Sequence, residues 1–364
     1  MVRFPGLGTP EKTHGVDAPD RRLRGKAGDG DPVVVLHDRV PADAPPDQQD
    51  TLDQLHAVAQ ALQGLGYRVE MLALDFNLAA ATQRLRALAP LAVFNLAESV
   101  GGDGSLAHLP AQWMESLRMP FTGCSGEALY LTTRKPLTKR LLRAAGLPTP
   151  DWYAAAADLT APDRDNADDG TWLVKSVCEE ASIGLDAGAL VQGVAAARER
   201  IADCARRHGG DWFGERYIDG REFNVSLLAD PSAKDGEPAV LPIAEMAFVD
   251  YPPGMPRIVD YAAKWEADSF GYTHTRRRFD LPPGDKPLCD EMARLARTCW
   301  KLFDLRGYAR VDFRVDAAGR PWILEINANP CIAADAGFTA AAGQVGLNLN
   351  AVVARLLSAA GVPR

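Results

Sequence analysis

The stretch RVDFRVDAAGRPWILEINANP, Arg310–Pro330, reads as two alternating strands around the turn AAG. Alternation puts Arg310, Asp312, Arg314 and Asp316 on one face of the first strand, and Ile323, Glu325 and Asn327 together on the second. A turn of two residues, or of four, makes Asp312 face Glu325 and Arg310 face Asn327, whereas a three-residue loop shifts the register and breaks that pairing. Facing side chains have Cβ atoms roughly 4.5–5.5 Å apart, where like charges repel. Nothing obvious in the stretch neutralises the two carboxylates, and a divalent cation fits between them. Magnesium takes one or two carboxylates at about 2.0–2.1 Å and completes its shell with water or phosphate oxygens. Asn327 adds a neutral oxygen, and Arg310 could hold an anion bound to the same metal. The plainer alternative is a solvated charged face with Arg310 and Arg314 as cross-strand partners.

Other charged residues carry the same double reading. Lys135 stands at a helix start in RKPLTK, and Lys175 ends the apolar strand TWLVK just before the small-residue loop SVCEEASIG. Either is placed to meet an anion or simply to face solvent. Glu215 and Glu222 in ERYIDGRE, Lys264 in DYAAKW and the run Arg276, Arg277, Arg278 are surface residues by default.

Positioning such groups requires a frame, and the chain provides one. PVVVLHD, YRVEMLAL and LAVFNLAES read as strands alternating with helices at DTLDQLHAVAQALQGLG and LAAATQRLRALA, which predicts a parallel sheet. TTRKPLTKRLLRAAGLPTP predicts one helix with threonines at its start, and ADLTAPDRDNADDGT a polar loop. TWLVKS is a strand, and LVQGVAAARERIADCARRHGG a helix. WFGERYIDGREFNVSLLAD and AVLPIAEMAF suit antiparallel strands; DEMARLARTCWKLFDLRG and LNAVVARLLSAAG suit helices. At 364 residues the chain has room for two or three packed units, since domains run to about 100–200 residues. Forty basic against 48 acidic residues, a net −8, argues against nucleic acid or an anionic membrane as the main partner. No segment approaches the roughly 20 apolar residues of a membrane helix. Six scattered cysteines without a CxxC suit reduced thiols, so a cytoplasmic setting is expected.

Taken together, FNLAESVGGDGS, FTGCSGEAL, TTRKPLTKRLLRAAGLPTP, WLVKSVCEEASIG, ERYIDGREFNV, DYAAKW and RVDF…LEINANP resemble the ATP-grasp superfamily and, within it, the D-alanine–D-alanine ligase branch, from about Val93 to Gly346. The resemblance implies an α/β plus α+β architecture: a flexible extension (1–30), a Rossmann-like pre-ATP-grasp domain (31–126), a central ATP-grasp subdomain (127–214) and a carboxy-terminal one with the metal site (215–364). It implies ATP and Mg2+, with Mn2+ as an alternative. Lys135, Lys175 and Lys264 then match phosphate-binding lysines, although the acidic residue usual before the first is Arg134 here. Glu215 and Ile218 match the adenine contacts and Glu222 the ribose contact. Asp312, Glu325 and Asn327 match the metal ligands, and Arg310 the arginine that stabilises the transferring group. The loop at SVCEEASIG resembles one that closes over the phosphates, with Ala181 and Ser182 where the family has two serines; Ser182, Lys264 and Arg310 are the expected catalytic set.

The implied activity is ATP-dependent joining of a carboxylate to an amine through an acyl phosphate, with small-molecule substrates and a homodimer as the expected assembly. The substrate side departs from the pattern. Trp265 stands where a tyrosine is usual, Pro330-Cys331 replaces proline-glycine, and Ala336, beside Asp335, replaces a serine. No counterpart of the donor-binding glutamate is evident in HDRVPADAPPDQQD. Substrates other than a D-alanine pair are therefore expected, with Glu98, Trp265, Arg276, Arg278 and Asp335 as candidate contacts. D-alanine–D-alanine ligation itself and a non-catalytic nucleotide-binding role stay open at this level.

Overall fold

A computed structural model describes residues 32–362 apart from 42, 155–168, 180, 181, 187, 234 and 235. The expected extension, most of the polar loop after Ala157 and the Ala181 position lie outside the described residues. The first sheet contains β1 (Pro32–Asp38), β2 (Arg68–Leu74) and β3 (Ala92–Asn95), in the order β2-β1-β3 and parallel throughout. The run VVVL is buried on both faces, as central parallel strands are. Val33 and Val35 pack with Leu55, Val58 and Leu62 of the helix Pro46–Gly64 and with Val352, Val353 and Leu356 of the helix Leu349–Ala359. Val34 and Leu36 face the other way, toward Leu85 and Met114.

A second sheet contains β4 (Trp152–Ala154), β5 (Thr171–Ser176), β6 (Leu190–Gln192) and β7 (Trp212–Arg216), antiparallel in the order β4-β7-β5-β6. The helix expected from Leu190 begins only at Gly193, because the first three residues of that stretch form β6. It covers the sheet through Val194, Ala197, Ile201 and Cys204. The helix expected from the threonines is divided as well. Gly126–Thr133 ends at the threonines and Lys135–Ala144 starts afresh. Pro136 cannot donate into a continuing helix and its ring would collide with the preceding turn, so the chain breaks at Arg134. Lys135 is thereby set at a helix start, its amide bonded to the carbonyl of Val177 beyond β5.

The third sheet holds β8 (Arg221–Ala229), β9 (Pro238–Val240), β10 (Ala244–Phe248), β11 (Thr275–Arg278), β12 (Tyr308–Val315) and β13 (Pro321–Asn327). Its order is β11-β10-β8-β12-β13, with β9 beside β8. The helix Lys286–Leu302 buries Met292, Leu295, Ala296 and Cys299 against Phe223, Val225, Val311 and Phe313. The stretch WFGERYIDGREFNVSLLAD, expected to form antiparallel strand, gives β7 and β8, which belong to different sheets. The linker between them passes close over β12: a Cβ at Gly220 would fall 1.9 Å from the carbonyl oxygen of Val315, so only glycine fits.

Candidate active site

A cleft of about 720 Å3 opens between the second and third sheets and reaches the start of the first helix. The hairpin β12–β13 forms its floor. The loop has three residues, 317–319, closed by the Gly319 amide on the Asp316 carbonyl. Near the turn Phe313 pairs with Ile323, the shifted register that such a loop predicts. Leu324 is then left unpaired as a β-bulge, and beyond it Asp312 faces Glu325 and Arg310 faces Asn327. The bulge corrects two expectations. Ile323 turns into the core beside Phe313, away from Glu325. Leu324 and Glu325, consecutive in sequence, both line the cleft, which a regular strand cannot achieve.

The carboxylates are also less naked than the sequence suggests. Arg310 grips Asp312 with two parallel bonds, Nε to Oδ1 at 2.7 Å and Nη2 to Oδ2 at 2.8 Å. Asn224 of β8 donates to Asp312 at 2.8 Å and Asn327 at 3.2 Å. Burial alone would push the Glu325 carboxyl up, but Lys135, Lys175, Lys264 and Arg310 together hold it down at about 2. Glu325 is therefore ionised at neutral pH. Two carboxylates and one amide form a hard-oxygen set that suits magnesium. Among the described residues no three His, Cys, Asp or Glu side chains gather as a metal cage, so a cation here would complete its shell with water or phosphate.

Cations come from three directions. Lys135 donates to the Glu179 carbonyl at 2.8 Å and lies 3.9 Å from Glu325. Lys175 meets Glu215 at 2.9 Å. Glu215 is also paired with Lys139, a side chain with 0% exposure that sequence reading missed, although it lies one helical turn from Lys135 in KPLTK. Burial is the largest influence on all three groups. It pulls the Lys139 ammonium down to about 8, while mutual attraction wins at the other two, raising Lys175 and lowering Glu215. Lys264, on the short helix Tyr261–Trp265, lines the cleft, where partial desolvation and then Arg310 lower its ammonium. Ser182, at φ +63, donates to the Val259 carbonyl at 2.8 Å, and Tyr261 N meets Leu185 O at 3.1 Å. Those two bonds seat the loop after β5 against the segment leading to Lys264.

Glu215, Ile218 and Glu222 line the cleft along the linker. Arg314, weighed beforehand only as a cross-strand partner of the hairpin, fastens this segment. It bonds the Ile218 carbonyl at 3.0 Å, Glu222 at 3.0 Å, Tyr217 Oη at 3.0 Å and the Arg257 carbonyl at 2.7 Å. Burial pushes the Glu222 carboxyl up against the opposing pull of Arg314.

At the far end, Glu98, Trp265, Arg276 and Asp335 line the cleft as anticipated, together with Asp50, Gln54 and Cys331. Arg278 does not. Strand pairing sets it opposite Glu245, with which it forms two bonds at 2.7 and 2.9 Å on the side away from the cleft. The next residue back, Arg277, pairs with Met246 on the cleft side and donates to the Asp335 carbonyl at 2.9 Å. Asp50 and Gln54 lie on the first helix; Cys331 donates to Asp50 at 3.3 Å, and Gln54 accepts from the Ile332 amide at 2.7 Å.

A parallel three-stranded unit followed by two sheets closed over a polar cleft is the architecture of an ATP-grasp enzyme. The D-alanine–D-alanine ligase from Bacillus anthracis, solved with ATP, superposes with a TM-score of 0.68 over 90% of this chain and 97% of that one, at 17% identity. Residues 141–358 match the profile described as D-ala D-ala ligase C-terminus. A D-alanine–D-alanine ligase from Chromohalobacter salexigens is 34% identical over 75% of this chain and 78% of its own length. An uncharacterised protein of Sinorhizobium fredii, y4sG, is 29% identical over 84% and 86%. The chain belongs to the D-alanine–D-alanine ligase family of ATP-grasp ligases. No helix of the described residues is long and apolar enough to cross a membrane.

Proposed function

We propose that the chain is an ATP- and magnesium-dependent ligase that joins a carboxylate to an amine, acting on amino-acid-like substrates other than two D-alanines. In this reading Lys135, Lys175 and Lys264 meet the nucleotide phosphates, Glu215 and the Ile218 backbone take the adenine edge, and Glu222 takes the ribose hydroxyls. Asp312, Glu325 and Asn327 hold magnesium, or manganese in its place; the metal would neutralise phosphate charge when bound. Arg310 stabilises the transferring phosphoryl group, and the loop seated by Ser182 keeps water from the reaction. The substrate carboxylate attacks the γ-phosphoryl group, ADP leaves, and the amine displaces phosphate from the acyl phosphate. The division into 31–126, 127–214 and 215–364 belongs to the same proposal and is supported by the three sheets.

The observation that carries the substrate reading is the far end of the cleft, where Trp265, Cys331 and Ala336 stand and Arg277 enters. A substrate polar group left without its partner costs roughly 1–3 kcal/mol, so a D-alanine pair would be poorly held here. Arg276, Arg277, Asp335 and Glu98 instead offer charge to both a carboxylate and an ammonium group. D-alanine–D-alanine ligation is the second reading, favoured by the activity named for relatives at about 30% identity. A screen of amino-acid and small-acid pairs for ADP release, with mass detection of the product, separates the two. Turnover with D-alanine as sole substrate, at a rate no other pair exceeds, would overturn the first.

A further inference from the structure

Glu215 is 2% exposed and has two lysines where one would neutralise it. The two are placed differently. Lys175 lines the cleft, beside Glu215 itself, with its ammonium 5.7 Å from the centre of the Phe213 ring. Lys139 lies behind, with no exposure, and is pinned: its ammonium meets Thr149 Oγ1 at 2.9 Å, and that hydroxyl donates to the Ile323 carbonyl at 2.8 Å. One lysine thus borders the cleft, and the other is held in the interior.

We propose that Lys139 is a standby counter-ion: it keeps Glu215 paired when Lys175 turns from the carboxylate to a nucleotide phosphate. The inference rests on the reading of Lys175 as a phosphate contact. A buried carboxylate stripped of its only cation is strongly disfavoured, so without Lys139 the same lysine would have to serve both anions. Lys139 is on this account a positioning residue, felt by the phosphates and not by the nucleoside.

The test compares equilibrium binding of Mg·ADP and of adenosine, read as the ratio of their affinities. Lys139→Met is expected to lower that ratio roughly ten- to hundredfold, the loss of one charged hydrogen bond, with adenosine affinity nearly unchanged. Glu215→Gln added to Lys139→Met removes the carboxylate that competes for Lys175, and is expected to restore the ratio. An unchanged ratio in Lys139→Met, or equal losses for both ligands as a purely structural role demands, overturns the proposal. If Lys139→Met fails to fold, the double variant is read alone, and a ratio tenfold below the parent overturns it. Lys175→Met reports on the underlying reading: if it leaves the ratio unchanged, the phosphate assignment fails and the counter-ion role with it. A drop there without one in Lys139→Met refutes the counter-ion role only.

Discussion

Arg314 is 3% exposed and makes four bonds that tie β12 to the linker, to Glu222 and to the segment before Lys264. Replacing it with methionine keeps much of the apolar stem and removes every donor. Glu222 would lose the cation that opposes its burial, a change worth about 3–5 kcal/mol when a buried pair is broken from one side. The Ile218 and Arg257 carbonyls would each lose a donor, at about 1–3 kcal/mol apiece, but neighbouring losses do not add. The expected net is a loss of about 3–5 kcal/mol, read from urea unfolding of Arg314→Met at pH 7. Because Glu222 can escape part of the penalty by taking up a proton, the loss should shrink as pH falls. Arg314→Met/Glu222→Gln, which deletes the stranded charge, should recover at least about 1 kcal/mol. A loss below about 1 kcal/mol in the single variant, or no recovery in the double, would refute the account of Arg314 as the cation that holds the linker.

Asp312→Asn should abolish ADP release; because the Arg310 fork loses its carboxylate, it should also lower stability by about 1–3 kcal/mol in metal-free unfolding, where simple relief of repulsion would have raised it. Chelation of magnesium should stop ADP release, and re-addition of magnesium, or of manganese, should restore it. Asp38 supplies a pH test: burial raises its carboxyl to about 6, against bonds from Ser99 and the Glu98 amide. The folded state keeps that proton over about pH 4–6 while the unfolded chain releases it, so this stabilisation is complete below about pH 4 and is lost as pH rises through 6. Relative to Asp38→Asn, the parent should therefore lose up to about 3 kcal/mol of unfolding free energy between pH 4 and 7.

Much of the frame was legible because period and composition act locally. The run VVVL, the heptad-like leucines of the first long helix and the alternation of RVDFRV each specify their element without reference to the rest of the chain. What escaped depends on partners remote in sequence. Three residues at Leu190 join β5 as a strand because that edge was available, against a helical pattern. In the site, Asp312 does face Glu325, yet by a different route: the three-residue loop that should have broken the pairing is followed by a bulge that restores it. Neither irregularity has a residue signature strong enough to read in advance. Arg278 illustrates the opposite failure: its bonds to Glu245, the residue it faces on β10, hold it away from the cleft that Arg276 and Arg277 line, and a run of three arginines gives no sign of which one will be turned aside. Lys139 was missed, and Arg314 was read only as a cross-strand partner, because a buried charged side chain is a poor default for any lysine or arginine.

The packing of Val352, Val353 and Leu356 into the same cluster as Val33, Val35, Leu55 and Leu62 has a consequence in time. A chain made from its amino terminus exposes the first sheet long before the residues that cover one of its faces exist. With nearly 300 residues between Leu62 and Val352, synthesis at roughly 5–20 residues per second leaves that face waiting about 15–60 s. Until then the apolar side of β1 and its helix is open to other surfaces. This unit should therefore reach its native state only after the helix that carries Val352, Val353 and Leu356 has been made, and should depend on holding factors during synthesis more than its parallel three-stranded plan would suggest.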